Sequence, residues 1–217
     1  MIFRRRSTGS DDDSADQQAT VSQPSADRPR GPWDRSETTA DADDETYIDL
    51  GGLVIKGSPG LELRLQVDES TSSVIAVMLA APDSGLELRA FAAPRKGGIW
   101  DDVRADIAAE AERRGGTSSE SPGEFGTEIK VAVPVRVAEG RSATQASRIV
   151  GVEGPRWLLR GTFLGTSARD ADPDGLLESA LRSVIVVRGE GPMAPREVIP
   201  LRMPAQAGPP AELTEGS

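Results

Sequence analysis

Between Leu61 and Arg114 the chain switches from one hydrophobic period to another. Leu61, Leu63, Leu65 and Val67 alternate with Glu62, Arg64, Gln66 and Asp68, the period-two pattern of a strand with one face toward water. Val74 to Ala81 is apolar at every position, which predicts a strand covered on both faces. Leu86, Leu88, Ala90 and Ala92, interleaved with Glu87 and Arg89, predict a third strand. The links at 68–73 and 82–85 are short and polar, so the three strands should form an antiparallel meander. From about Trp100 the spacing changes. Ile99, Val103, Ile107 and Ala111 recur every fourth residue, and Trp100 and Ala108 widen the stripe, as in an amphipathic helix. Asp101 and Asp102 in its first turn and Arg113 and Arg114 in its last complement the helix dipole. Gly115-Gly116 predicts its end, because glycine takes the left-handed conformation beyond a last turn without steric cost.

The same reading extends both ways. Before the meander, order should begin near Tyr47-Ile48-Asp49-Leu50, with Gly51-Gly52 turning the chain into Leu53-Val54-Ile55. After the helix, a Ser/Gly/Pro loop should lead to alternation from Phe125 to Val135, where Pro134, lacking an N–H, demands an edge or a bulge. Ala146–Val152 and Arg156–Leu164 should pair across Glu153-Gly154-Pro155. Asp172-Pro173 should cap a second helix, with Leu177, Ala180 and Leu181 buried. Val184–Val187 should be a short central strand. The proline-rich segment after Gly189 should lie extended across the domain up to Met203 and then fray. The order predicted is β-β-β-α-β-β-β-α-β, an α+β domain over residues 47–203 with a mostly antiparallel sheet of about six to seven strands and two packed helices.

Charge adds two flanks to this picture. Residues 7–46 hold eleven acidic residues against three arginines, with Trp33 the only large aromatic. Such a segment buries too little apolar surface to offset its ordering entropy, so residues 1–46 are expected to be a disordered acidic arm and 204–217 a disordered tail. The whole chain carries a net charge of −10, which counts against a general nucleic-acid binder. No apolar run approaches the about 20 residues that span a bilayer, and the polar residues after Met1–Arg6 lack the apolar core of a secretory signal. A cytoplasmic location is expected.

The chain has neither Cys nor His. Thiol nucleophiles, imidazole bases and Cys/His zinc sites are therefore excluded. Asp170-Ala-Asp172-Pro-Asp174-Gly175 begins like a calcium loop, but Leu181 stands where a bidentate Glu is needed; the reading favoured is an acidic loop capping the second helix. Gly189-Glu-Gly191-Pro-Met-Ala194 has the spacing of a dinucleotide fingerprint, yet Pro192 and Pro195 oppose the helix that must follow. Asp101 and Asp102, adjacent on a helix, diverge by about 100° and cannot face one another. No cofactor and no catalytic residue is expected.

The sequence Gly-Gly-Leu at 51–53, Pro-Gly-Leu-Glu-Leu-Arg-Leu at 59–65, Ala-Phe-Ala-Ala-Pro-Arg at 90–95, Gly-Pro-Arg-Trp-Leu-Leu-Arg-Gly at 154–161, Val-Val-Arg-Gly at 186–189 and Pro-Met-Ala-Pro-Arg at 192–196 resembles the actinobacterial family catalogued as domain of unknown function 3710. Gly-Pro-Arg-Trp is the most specific run. The resemblance spans nearly the whole expected domain and implies no activity.

The remaining candidates are arginines flanking apolar strands: Arg148, Arg156, Arg160, Arg188 and Arg196. Arg156 and Arg160 share strand parity. Arg148, Arg156, Trp157, Arg160 and Arg188 are accordingly taken as a candidate anion- or partner-binding face. The competing reading is ordinary strand arginines paired with Glu87 or Glu128. The expected function is a non-catalytic binding or adaptor protein whose partner is another protein or its own acidic arm. An enzyme using carboxylate and arginine chemistry, and a peripheral nucleic-acid or anionic-membrane factor, stand as alternatives.

Overall fold

A computed structural model describes residues 30–38, 46–71, 73–136 and 142–204. The strands in chain order are β1 (Trp33–Asp34), β2 (Tyr47–Asp49), β3 (Leu53–Lys56), β4 (Glu62–Asp68), β5 (Ser73–Ala80), β6 (Ser84–Ala92), β7 (Thr117–Gly123), β8 (Gly126–Arg136), β9 (Ser142–Gly154), β10 (Trp157–Gly165) and β11 (Ile185–Val186). Helix α1 spans Ile99–Arg113 and α2 spans Leu176–Ser183. Two sheets result. A large one of seven strands runs β4-β5-β6-β10-β9-β8-β7, and a small one of four runs β1-β11-β3-β2. Every pairing is antiparallel except β1 with β11. The α+β class and the antiparallel meander β4-β5-β6 agree with the sequence pattern; the order of elements is longer than the pattern predicts.

The large sheet separates two apolar clusters. On one face Leu86, Leu88, Val150, Leu159 and Phe163 pack against Leu53 and Ile55 of the small sheet and Leu177 and Leu181 of α2. On the other face Ile129, Ile149 and Leu158 pack against Ile99 and Trp100 of α1. Period-two alternation sends neighbouring residues of one strand into different layers. Thus Trp157 and Leu159 face the small sheet while Leu158 and Arg160 face α1. Strand β5 is not sealed on both sides as its apolar run predicts, for Ile75, Met78 and Ala80 remain half-buried.

Helix α1 starts after Gly98 at φ 83° and is followed by Gly115 at φ 72°, so glycines bracket it as expected. Its N-terminus is capped from a distance: the Glu153 carboxylate accepts hydrogen bonds from Gly98 N, Ile99 N and Trp100 N at 2.9, 2.7 and 3.2 Å. On β9, below the first turn of α1, Gly151 leaves room for the indole of Trp100, which lies 2.3 Å from where a Cβ would stand.

Several expectations are corrected. The segment 30–38 belongs to the folded unit rather than to a disordered arm. Trp33 N donates to Val184 O at 2.8 Å, β1 pairs with β11, and Pro32 is buried. Order therefore begins before Tyr47. Residues 1–29 and 39–45 of the arm and the tail from residue 205 lie outside the described residues. Strand β7 occupies the stretch predicted as a loop, and its Thr-Ser-Ser-Glu-Ser-Pro-Gly sequence is held by the β8 ladder rather than by burial. Pro134 lies past the end of β7, whose pairing stops at Thr117↔Ala132; its missing N–H therefore faces no partner strand on that side. The short strand β11 is central, but in the small sheet. Helix α2 begins at Leu176 with Gly175 as its cap residue. Asp172 instead closes the preceding turn, accepting Asp174 N on its side chain and Gly175 N on its carbonyl. Residues 196–201 dock beside β6, with Arg196 N donating to Ala92 O and Ile199 N to Ala90 O at 2.8 and 2.9 Å.

Candidate functional site

The arginines singled out by the sequence do not form one face. Arg148 on β9 and Arg160 on β10 project from opposite faces of the large sheet, since each follows the parity of its own strand and the register pairs Arg148 with Phe163. Arg148 is 2% exposed. Its Nε donates to Ser167 O at 3.0 Å, its two terminal nitrogens reach Glu128 at 3.3 Å and Glu178 at 2.5 Å, and its guanidinium lies 3.9 Å from the Phe163 ring centre. Every nitrogen is engaged, so Arg148 ties β9, β8 and α2 together and offers nothing to a partner.

Arg156 breaks the strand parity on which its pairing with Arg160 rests. It sits in the β9–β10 turn at φ 64°, and its carbonyl accepts from Ala93 N at 2.8 Å. The Gly-Pro-Arg-Trp run is explained by this turn. Trp157 pairs with Gly154, and the indole occupies the space a Gly154 side chain would need, 2.1 Å from the ideal Cβ. Trp157 is fully buried and its Nε1 donates to Asp34 Oδ2 at 2.7 Å. The run is an architectural corner holding the N-terminal segment. Arg188 lies after β11, where it bonds the carbonyls of Gly189 and Gly191. Neither it nor Trp157 joins Arg160.

Arg160 faces a cleft instead. Between α1 and the large sheet lies a cavity of about 590 Å³. Its floor comes from β8, β9 and β10 through Val131, Ile149 and Leu158; one wall is α1 through Val103 and Ile107, and the other is β6 through Phe91. The α1 stripe predicted from spacing is complete at its ends, where Ile99, Trp100 and Ala111 are buried, while Val103 and Ile107 in its middle stay half-buried. Those two residues pack on the cluster that holds Ile149 and Leu158 and leave their outer sides to the cleft, together with half-buried Phe91 and Val131.

The polar groups of the cleft are distributed unevenly. Asp106 of α1 pairs with Arg196 at 2.7 Å and Glu110 with Arg113 at 2.5 Å. Glu87 accepts from Arg89 Nε at 2.9 Å and from Gln66 Nε2 at 3.1 Å. Arg160 stands beside them with its Nε buried and without a hydrogen-bond partner among the described residues. Its nearest carboxylate oxygen, on Glu87, is 3.9 Å away, and its guanidinium rests 5.4 Å from the Phe91 ring centre. Burial, then the neighbouring Arg89, pushes the Arg160 pKa below the ordinary guanidinium value, and Glu87 opposes the shift. The parity of Leu158 and Arg160 was legible in the sequence; the cleft was not, because it depends on where α1 crosses the sheet.

A family model matches residues 31–209. The chain belongs to the DUF3710 family of proteins of unknown function. The match begins at Gly31, just before the strand that Trp157 anchors, so the family's extent includes the N-terminal segment corrected above. No curated protein matches the chain. The DUF3710 chain has no helix among its described residues long and apolar enough to cross a membrane. Among the same residues no group of three or more acidic side chains is arranged to hold a metal ion, and the acidic loop at 170–174 is exposed. No helix follows the glycines at 189 and 191 up to residue 204.

Proposed function

We propose that this protein is a non-catalytic binding protein and that its site is the cleft between α1 and the large sheet. The observation that carries this reading is the apolar lining of a cavity of about 590 Å³, where Val103 and Ile107 of α1 and Phe91 and Val131 of the sheet stay half-buried over the packed Ile149 and Leu158. That volume lies within the range of about 300–1,000 Å³ typical of small-molecule pockets, which are mostly apolar with a few placed polar groups. The carboxylates around the cleft are each engaged by a cation, and the chain has no His or Cys. Acid/base chemistry has no support from such a lining. A protein partner, or the acidic N-terminal arm, would have to bring an apolar group along with its charge to fill this space.

The test is titration of the full chain with a fluorescent anilinonaphthalene sulfonate, which couples an apolar body to one negative charge. One saturable site is expected. Ile107→Trp should fill the cleft and abolish that binding while the circular-dichroism melting curve remains cooperative. Unsaturable binding, or binding that the substitution leaves intact, would overturn the reading.

A further inference from the structure

The cleft has one polar group whose needs nothing in the described protein meets. Resting on the reading of the cleft as a binding site, we propose that its ligand is a single-chain amphiphile with a monoanionic carboxylate head, held by Arg160, and an apolar tail lying between α1 and β8–β10. Two arginines on opposite faces of the large sheet, Arg148 and Arg160, make the contrast. Arg148 has all three nitrogens bonded. Arg160 has a buried Nε with no partner, and its closest approach to Glu87 at 3.9 Å is too long for a hydrogen bond. A guanidinium presents its donors as a planar fork that matches the two oxygens of a carboxylate. A buried polar group left unsatisfied is costly, so the fork marks a position for an acceptor.

Charge narrows the class of head. Arg89 and Arg160 stand against the single carboxylate of Glu87, and Glu87 is already engaged by Arg89 and Gln66. The surplus is one positive charge. A monoanion balances it, whereas a dianionic phosphate would confront Glu87. The ring of Phe91 supports the guanidinium from one side at 5.4 Å, which holds the fork in place without using its N–H groups. Beyond the head, Leu158, Ile149, Val131, Val103 and Ile107 offer no hydrogen bonds from their side chains. Thr162, Ser147 and Gln145 also line the cleft, but a sugar or nucleotide laid against these five side chains would lose hydration that they do not replace. An alkyl chain loses none.

Calorimetric titration of the full chain with dodecanoate, decanoate, dodecanol, dodecyl phosphate and dodecyltrimethylammonium tests this. Dodecanoate should bind one-to-one and displace the naphthalene sulfonate. It should bind at least about tenfold more tightly than dodecanol, through a charge-assisted bidentate contact. Decanoate should be weaker by about 16-fold, from about fourfold for each methylene removed. Arg160→Gln should lower dodecanoate affinity to that of dodecanol and leave dodecanol unchanged, and Glu87→Gln should tighten dodecanoate. Equal binding of dodecanoate and dodecanol, or indifference to Arg160→Gln, would refute the head-group assignment while the cleft stands as a site. Dodecyl phosphate binding as tightly as dodecanoate would refute the monoanionic head, and preference for the trimethylammonium would reverse the sign assigned to the site. If none of the five binds, the cleft reading falls with it.

Discussion

Replacing Arg148 by methionine separates a buried structural arginine from a surface one by a wide margin. Methionine keeps most of the stem's volume and removes the charge. The side chain of Arg148 is 3% exposed, and those of Glu128 and Glu178 are 7% and 4% exposed. At the distances observed, each attraction is worth about 5–7 kcal/mol at an effective dielectric constant near 20, and this is offset by several kcal/mol of desolvation for each ion. The intact triad is therefore near neutral in net stability. The variant is not, because it leaves two buried carboxylates on β8 and α2 without their shared cation. Losing one partner of a buried pair costs about 3–5 kcal/mol, and the Ser167 carbonyl loses its donor as well. For a domain of this size about 4 kcal/mol corresponds to a fall in Tm of about 8–16 °C. Urea denaturation followed by circular dichroism measures it directly. A double-mutant cycle with Glu178→Gln should show a coupling of about 2–3 kcal/mol, since the second change removes one of the stranded charges. A loss below about 1 kcal/mol, the size of an exposed ion pair, or strict additivity of the two changes, would refute the buried triad.

Trp157→Phe should cost about 2 kcal/mol, because a hydrogen bond to a charged acceptor is lost at a fully buried site; a chain starting at residue 39 should show a comparable drop in Tm, whereas one starting at Arg30 retains every contact described for β1. An unchanged Tm for the shorter chain would show that β1 contributes nothing. Gly151→Ala places a methyl 2.3 Å from the Trp100 ring, and overpacking of this kind costs about 1–3 kcal/mol; chemical denaturation reads it, and wild-type stability would mean that α1 can shift freely. The Glu62 carboxyl is held below the usual range by the hydrogen bond from Arg64, and that of Asp68 by the Ser70 hydroxyl. Depressed carboxyls add stability that is present above their unfolded values and lost as pH falls through the folded ones. NMR titration should find both midpoints below the reference values of about 4.3 and 3.9, with Arg64→Gln raising Glu62 alone.

The parts of this fold that the sequence determined are those in which neighbouring residues suffice. The strands β4 and β6 follow from alternation, α1 from fourth-residue spacing between glycine pairs, and the buried stripe of α2 from Leu177, Ala180 and Leu181. Such patterns record which side of an element must leave water, and that requirement is local. Tertiary structure decided everything that depends on which element covers which side. Strand β7 has no apolar alternation and exists because β8 offers it a ladder. Trp33 and Asp34 sit in an acidic, polar stretch and fold because Trp157 and β11 receive them. Arg148 and Arg160 look equivalent along the chain, yet one faces α2 and is fully bonded while the other faces α1 and is not. Parity tells that the two point in opposite senses only once β9 and β10 are registered. The cleft itself is a mismatch between the length of apolar sheet presented and the surface that one helix covers, a property of packing that no single segment carries.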